Sequence, residues 1–166
     1  MDVGVIGVGV MGRNHVRVYS ELKQAGDVYI YDQNRDAAMG VALAHEAIFC
    51  ATLEELLEKA EAVSVCVPTP FHRAVGEEVL AAGVHMLMEK PLCATAAEAE
   101  SLAGKVADGQ VAGVGHIERF NPIVAEIRRI VRNPVFVELN RHNPASSRPM
   151  GSSVIEDLMI HDLDIL

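Results

Sequence analysis

Short apolar runs alternate with longer segments of helical periodicity over most of the chain. The apolar runs contain few polar residues, which is typical of strands buried on both faces of a sheet. We predict such strands at residues 3–7, 28–31, 47–50, 62–67, 84–88 and 111–115. Repeated strand–helix units with short connections indicate an α/β fold, a doubly wound parallel sheet with helices on both faces.

Helices are predicted between these strands, at residues 12–25, 35–45, 53–59, 71–82 and 95–108. Two of them begin with a capping-box pattern, in which Thr52 is followed by Glu55 and Thr95 by Glu98. Right-handed crossovers place the carboxyl ends of all parallel strands along one edge. An open α/β sheet binds its ligand at that edge, so the residues that follow the strands are the first candidates for a site.

The pattern changes after residue 120, where we place a domain boundary between residues 1–120 and 121–166. Asn121 and Pro122 open a predicted amphipathic helix that reaches residue 132, because proline is favoured in a first helical turn. A strand at 135–139, a loop rich in Pro, Ser and Gly at 143–153 and a helix at 154–166 follow. That last helix has no stop signal, so we expect the chain to be a truncated form.

The first strand runs directly into Gly7-x-Gly9-x-x-Gly12, and a helical pattern follows at once. This spacing in this context is the dinucleotide-binding fingerprint of a Rossmann fold. The first glycine permits a tight turn, the second lets the backbone approach a pyrophosphate, and the third allows close packing of helix on strand. We assign Gly7, Gly9, Val10, Met11 and Gly12 to the cofactor site. The alternative is a glycine-rich turn without a ligand.

Asp32 ends the second predicted strand, 20 residues after Gly12. A carboxylate there can accept hydrogen bonds from both adenosine ribose hydroxyls and would repel a 2′-phosphate, so NAD(H) is favoured over NADP(H). The nearby Arg35 weakens this preference. The alternative is an ordinary aspartate in an exposed turn.

Two proline-containing turns follow the next central strands of the predicted sheet. To the cofactor site we add residues from both turns: Pro68, Thr69, His72, Glu89 and Lys90. A lysine at this edge is placed to contact a substrate hydroxyl or the nicotinamide ribose, and burial would suit it to proton transfer. The alternative for Lys90 is a solvated surface lysine.

Asp157 and His161 are four residues apart in the last predicted helix, and Asp164 continues the same face. A histidine near a bound NAD is a natural general base for alcohol oxidation, while a helix surface or a weak metal site are the alternatives. Arg141 and Arg148 flank the preceding loop and suit a phosphate or carboxylate, or are surface charges. The other histidines are weaker candidates, namely His72 and His116, or structural and solvated ones, namely His15, His45, His85 and His142.

Composition restricts the partners of this 166-residue chain. A formal net charge of −9 argues against a nucleic-acid or anionic membrane surface. The three cysteines, Cys50, Cys66 and Cys93, lack CxxC spacing, so we predict buried thiols in a reducing compartment and assign no metal site. No signal peptide is visible and the apolar runs are too short to cross a bilayer, which predicts a cytoplasmic protein.

Together these motifs resemble the glucose-fructose oxidoreductase and inositol dehydrogenase (Gfo/Idh/MocA) family. The matching residues are Gly7-x-Gly9-x-x-Gly12, Pro68 to His72, Glu89-Lys90-Pro91-Leu92 and Asp157-x-x-x-His161-Asp162. The resemblance implies an NAD-dependent dehydrogenase that acts on CH–OH groups of a sugar or nucleotide sugar. It also implies catalytic roles: His161 as base, Lys90 orienting the hydroxyl and Asp157 positioning the sugar or the base.

A narrower segment, residues 115–122, is similar to members that oxidise the 3-hydroxyl of UDP-N-acetylglucosamine-type sugars. Arg141, Pro144 and Arg148 fit that subgroup loosely, and Asn143 stands where it would have glycine. Family members continue into an α+β substrate domain built on an open antiparallel sheet, so residues 121–166 would be its truncated start, and a homo-oligomer is expected. Two alternatives remain: a non-catalytic NAD(H)-binding module or redox-responsive regulator, and a reductase of a small carbonyl or imine.

Overall fold

The computed structural model describes residues 1–141, 153 and 155–166, and for residues 156 and 157 the backbone alone. Within it the chain forms two compact units, Met1–Gly115 and His116–Leu166. The loop predicted at 143–153 therefore lies outside the described residues except for Ser153, and the candidates Arg148, Asn143 and His142 lie outside them as well.

The first unit is built on a six-stranded, fully parallel sheet in the order β3-β2-β1-β4-β5-β6, which confirms the predicted Rossmann fold. Its strands are β1 Val3–Ile6, β2 Val28–Tyr31, β3 Ile48–Phe49, β4 Ala62–Val65, β5 His85–Met88 and β6 Ala112–Val114. All strands run parallel, but the order in which the chain adds them to the sheet reverses at β1, since β2 lies on one side of β1 and β4 on the other. That reversal opens a crevice at the carboxyl ends of β1 and β4.

Five helices connect these strands: α1 Val10–Glu21, α2 Arg35–His45, α3 Leu53–Lys59, α4 His72–Ala81 and α5 Ala96–Ala103. The predicted capping box is complete at Thr95, whose hydroxyl accepts from Glu98 N–H while the Glu98 carboxylate accepts from Thr95 N–H. At Thr52 the side-chain cap is present, but the Glu55 carboxylate accepts from Ala51 N–H instead. The first helix is shorter than predicted, because Leu22 is extended and its carbonyl accepts a turn bond from Ala25 N–H.

Alternate residues of the central strands enter two separate hydrophobic cores. Val5 and Ile30 pack with side chains of α1 and α2, whereas Ile6 and Tyr29 pack with side chains of α3, α4 and α5. This period-two alternation places helices on both faces of the sheet. The apolar strands are therefore buried on both sides, as their continuous hydrophobicity indicates.

The second unit begins with a 3₁₀ turn, Ile117–Phe120, and a helix, α6 Pro122–Ile130, which is capped by the Asn121 side chain accepting from Ile123 N–H. The strand predicted at 135–139 is wrong, since residues 131–141 have no regular structure. An isolated strand has no ladder of hydrogen bonds, and no partner strand lies in the part of the chain that the structure describes. Val135 and Phe136 are accordingly exposed.

The segment predicted as one helix at 154–166 is not a single α-helix in the residues that the structure describes. A π-helical turn, Ile155–Met159, is followed by a short α-helix, α7 Ile160–Ile165. A π turn pairs residues five apart instead of four, so the spacing of Asp157 and His161 does not by itself put them on one face. None of the helices among the described residues is long and apolar enough to cross a bilayer.

The core position of Leu56 predicts a large loss of stability on truncation. Leu56 is fully buried in α3, and a Cβ at Gly4 of β1 would lie 2.6 Å from its Cδ2 atom. We expect Leu56→Ala to lower the free energy of unfolding by about 2–5 kcal/mol through the cavity it leaves. Leu43→Ala, at an 87% exposed position of α2, should change it by less than about 0.5 kcal/mol. Urea denaturation of both variants followed by circular dichroism tests this, and equal losses would contradict it.

Candidate cofactor site and the polar network beside it

Two of the three fingerprint glycines are required by packing within the chain itself. Gly7 follows β1 with φ +89°, a left-handed conformation that favours glycine, and a Cβ there would lie 2.9 Å from the Cys66 carbonyl carbon. A Cβ at Gly12 would collide with the Gly7 carbonyl oxygen. Both glycines therefore let the first turn of α1 approach the end of β1.

Gly9 is different, because among the described residues no heavy atom beyond its immediate chain neighbours lies within 4 Å of the position where its Cβ would be. It is the N-cap residue of α1 and supplies no side-chain cap. Val10 and Met11 follow it at the exposed start of the helix, and the first turn carries no acidic residue. Uncapped amides and the positive end of the helix dipole thus face open space, an arrangement suited to a pyrophosphate.

Asp32 ties the end of β2 to the glycine loop. Its Oδ2 accepts from Val8 N–H at 2.7 Å and its Oδ1 accepts from Asn34 N–H at 2.8 Å. Each carboxylate oxygen can accept a further hydrogen bond, which leaves capacity for ribose hydroxyls. Arg35 lies with its guanidinium carbon 5.2 Å from the centre of the Phe49 ring, in a cation–π contact.

The turns after β4 and β5 are joined by His72, a residue that we expected to contact the cofactor. Its ring is 1% exposed, with Nδ1 at 2.8 Å from the Pro91 carbonyl oxygen and Nε2 at 2.8 Å from that of Val67. This placement corrects the expectation, because no ring nitrogen faces outward. His72 instead links the turn that contains Pro68 and Thr69 to the turn that contains Lys90. Pro68 is exposed and Thr69 is half-buried.

A buried hydrogen-bond network, which sequence analysis missed, lies between α1 and the sheet. Tyr19 Oη is 2.7 Å from Ser64 Oγ, and Ser64 Oγ is 2.9 Å from His15 Nδ1. His15 Nε2 is 2.9 Å from Glu89 Oε1, and Glu89 Oε2 accepts from Lys90 N–H at 3.3 Å. The only sequence signal was a polar serine inside the apolar β4 run, and its partners are 45 or more residues away.

Glu89 remains ionised in this network although it is only 8% exposed. Burial alone would raise the pKa of Glu89, but the hydrogen bond and charge of His15, the Lys90 N–H and the Lys90 charge together lower it. Burial raises the pKa of the neighbouring Cys66 thiol, and the Glu89 charge raises it further. The thiol is therefore protonated at neutral pH. One donor atom each from His15, Cys66 and Glu89 lie within 4.8 Å of one another, the one such group among the described residues.

In the second unit, each aspartate of α7 is held by an arginine. Asp164 accepts from Arg119 Nε at 2.7 Å and from the Arg119 terminal nitrogen at 2.6 Å, and Asp162 accepts from the Arg141 terminal nitrogen at 2.6 Å. These bonds lower the pKa of both carboxyl groups. Arg141 is thus paired with Asp162, and its contact with a substrate anion stays a prediction.

His161 lies half-buried in α7, next in sequence to Asp162. Asp157 lies in the π turn before it. His116 is also in this unit, with Nδ1 3.8 Å from Asp164 Oδ1. The first unit therefore holds the predicted cofactor residues and Lys90, while the second holds the other two predicted catalytic residues.

Glu89→Gln should change stability in a pH-dependent way. The folded-state pKa of Glu89 lies below the unfolded value of about 4.3, so the carboxylate stabilises the fold above that value and loses its contribution as pH falls through the folded-state pKa. We expect the variant to be about 1–3 kcal/mol less stable at neutral pH, with the difference shrinking below about pH 4. Denaturation across this pH range, with exposed Glu78→Gln as control, measures it. A difference independent of pH would contradict the assignment.

Comparison with known proteins agrees with this geometry. The family model Gfo/Idh/MocA, described as an oxidoreductase family with an NAD-binding Rossmann fold, matches residues 1–116. UDP-N-acetylglucosamine 3-dehydrogenase of Acidithiobacillus ferrooxidans is 38% identical over 99% of this chain and 53% of its own length. The solved structure of that enzyme superposes with a TM-score of 0.91, over 99% of this chain and 53% of that one.

Other relatives are more distant. Inositol 2-dehydrogenase of Agrobacterium fabrum is 31% identical over 99% of this chain and 52% of its own length. The structure of GenD2 from gentamicin A biosynthesis, in complex with NAD, has a TM-score of 0.74 at 26% identity over 78% of this chain and 38% of that one. The chain thus spans about half the length of the curated relatives it matches. It belongs to the Gfo/Idh/MocA oxidoreductase family, whose NAD-binding Rossmann fold its residues 1–116 form.

Proposed function

We propose that this chain binds NAD(H) and carries the cofactor half of a dehydrogenase that oxidises a hydroxyl of a nucleotide sugar. The observation that carries the cofactor part is the open space at Gly9 above the uncapped start of α1, next to the Asp32 carboxylate. The observation that carries the substrate part is 38% identity to a UDP-N-acetylglucosamine 3-dehydrogenase over 99% of this chain.

The glycine loop would hold the cofactor by its pyrophosphate. The amides of Val10 and Met11 donate to phosphate oxygens, and the absence of a side chain at Gly9 permits the close approach. Asp32 accepts from the adenosine ribose hydroxyls and repels a 2′-phosphate, so NADPH should bind more weakly than NADH. Pro68, Thr69, Glu89 and Lys90 line the carboxyl edge beside this loop, at the ends of the neighbouring strands β4 and β5. When bound, NAD⁺ supplies a hydride acceptor.

We assign Lys90 and His161 different roles in the oxidation of a hydroxyl. The Lys90 ammonium donates a hydrogen bond to the hydroxyl oxygen and orients it, while Glu89 holds the Lys90 backbone N–H at 3.3 Å. The His161 imidazole takes the hydroxyl proton as general base. Asp157 positions the sugar or the imidazole.

The wider biological setting follows from the same features. We propose a cytoplasmic homo-oligomer in which residues 1–120 bind the cofactor and 121–166 contribute to the substrate side. The described cysteines are free thiols, in keeping with a reducing compartment. Exposed apolar residues along α6, namely Ile123, Ile127 and Ile130, support association with another protein surface.

A non-catalytic NAD(H)-binding module is the second candidate. It is favoured by the observation that the glycine loop, Asp32 and both proline turns all belong to the unit Met1–Gly115. Such a module would bind NADH and form none from NAD⁺ and sugars. The two candidates therefore make opposite predictions for turnover and the same prediction for binding.

Gly9→Ala should separate cofactor binding from folding. The added methyl meets no atom of the chain, and φ −63° is ordinary for alanine, but it occupies the space that the pyrophosphate needs. We expect NADH affinity to fall at least about tenfold, or about 1.4 kcal/mol, with little change in melting temperature. Gly40→Ala, also free of contacts and inside α2, should leave affinity unchanged. A fluorescence titration with NADH gives the result, and retained affinity in Gly9→Ala would refute the site.

Lys90→Met should remove turnover. The chain is incubated with NAD⁺ and UDP-N-acetylglucosamine, then with myo-inositol, and NADH absorbance is followed. We expect NADH to form with the nucleotide sugar and the rate constant to fall at least about 100-fold in Lys90→Met, because the hydrogen bond that orients the hydroxyl is lost. Lys23→Met, at an exposed position, is the control. Full activity of Lys90→Met would contradict its role, and NADH binding without turnover on any sugar would identify the module.

A further inference from the structure

Four side chains that are far apart in sequence form one unbroken chain of hydrogen bonds through the first unit. From Tyr19 Oη the path runs to Ser64 Oγ, then to His15 Nδ1, across the ring to Nε2, and on to Glu89 Oε1. Every link is 2.7–2.9 Å long, and Ser64 is fully buried. The path joins α1, the helix that begins at the glycine loop, to the end of β5.

Charge fixes the direction of donation along this path. Glu89 is ionised, because hydrogen bonding and charge outweigh burial in setting its pKa. A carboxylate only accepts, so His15 must donate from Nε2. In the neutral ring Nδ1 then accepts from the Ser64 hydroxyl, which in turn accepts from Tyr19. The three donors along the path, Tyr19, Ser64 and His15, then each have an acceptor and all point toward Glu89.

Besides His15, the Lys90 backbone and Gly115 also contact the Glu89 carboxylate. Its Oε2 accepts from Lys90 N–H at 3.3 Å. A Cβ at Gly115 would lie 3.2 Å from the Glu89 Cδ atom, so the glycine lets the strand β6 end approach the carboxylate directly. With His15, Lys90 N–H and Gly115 around it, the carboxylate has one orientation. The lysine backbone is held by the same contacts.

We propose that His15 is a positioning residue for Lys90: it fixes Glu89, which fixes the Lys90–Pro91 turn at the edge where cofactor and substrate meet. This inference rests on the proposed function, in which Lys90 contacts the substrate hydroxyl, and it adds the nicotinamide ribose as a second contact of Lys90. His15 touches neither. Ser64 and Tyr19 hold the imidazole in the tautomer that donates to Glu89. The hydrogen bonds therefore fix the position of α1, which begins at the phosphate-binding loop, relative to the end of β5, which precedes Lys90.

A metal ion bound by His15, Cys66 and Glu89 is the alternative to the hydrogen-bond network. The donor atoms of His15, Cys66 and Glu89 lie within 4.8 Å of one another. However, His15 Nε2 and Glu89 Oε1 are already joined at 2.9 Å, and the Cys66 thiol is protonated because burial raises its pKa. A bound zinc ion would need the thiolate and a ring nitrogen without a proton. The observed bonds therefore favour the hydrogen-bond network, and zinc becomes an outcome of the test.

Two histidine variants separate positioning from packing. The amide nitrogen of His15→Gln lies near the place of Nε2 and can still donate to Glu89, whereas the shorter His15→Asn retains only the partner of Nδ1, Ser64. We expect His15→Asn to bind NADH about tenfold more weakly, as for a lost hydrogen bond to a charged group, and His15→Gln to recover most of that loss. ADP, which lacks both the nicotinamide and the ribose attached to it, should bind both variants within about twofold of the unmodified chain. Asn14→Gln, exposed on the same helix, is the control.

The outcomes are distinct. If the unmodified chain binds ADP and NADH but His15→Asn binds NADH equally well, the positioning role is overturned while the proposed function stands. If the unmodified chain binds neither, the proposed function fails. Equal losses of affinity for NADH and for ADP in both variants, in step with melting temperature, would show a packing role only.

A second measurement needs no variant and no cofactor. Long-range ¹H–¹⁵N spectra of the unmodified chain at a pH where the ring is neutral report which nitrogen of His15 carries the proton. The network requires the proton on Nε2, and a proton on Nδ1 overturns it. Stoichiometric zinc that is lost in Cys66→Ser would overturn it as well, in favour of a metal site.

Discussion

The close approach of α1 to the end of β1 is the constraint on which the rest of the first unit depends. It exists because Gly7 adopts a left-handed φ and because Gly12 has no side chain to strike the Gly7 carbonyl. The approach aims the free amides of the helix into the crevice where the strand order reverses. It also sets the height of the next turns of the helix, which places His15 over Ser64. The binding loop and the buried network are thus two consequences of one packing contact.

The packing of α1 against the sheet also makes the buried charge of Glu89 possible, because α1 carries His15. An isolated buried carboxylate costs several kcal/mol, and the fold tolerates it only because each oxygen has a donor. One donor comes from α1 and the other from the backbone of the next residue. His72 makes a comparable link between the turns after β4 and β5, through carbonyl oxygens instead of a charge. Two histidines, the buried His72 and the partly buried His15, therefore brace the edge at which Lys90 lies.

Sequence reasoning predicted the sheet, the glycine loop and the caps because these depend on residues close together in the chain. The parallel sheet is visible in the apolar runs, and the cap at Thr95 needs only a partner three residues away. The network was not predictable in this way, since Tyr19 and Ser64 are 45 residues apart and His15 and Glu89 are 74 apart. His72 fails for another reason: motif position says nothing about whether a ring faces a ligand or carbonyl groups inside the fold.

In the second unit, sequence reasoning predicts too much regular structure, because the apolar periodicity there indicates a strand that does not form among the described residues. Val135 alternates with neighbours as a strand would, yet a strand needs a partner and among the described residues none pairs with it. Helix α7 has only six residues, too few to be stable alone. The arginine pairs compensate, since Arg119 and Arg141 reach across 45 and 21 residues to bind Asp164 and Asp162. Because His161 directly precedes Asp162 in sequence, the ion pairs hold the helix that carries it, and Arg119 and Arg141 stabilise α7 through Asp164 and Asp162.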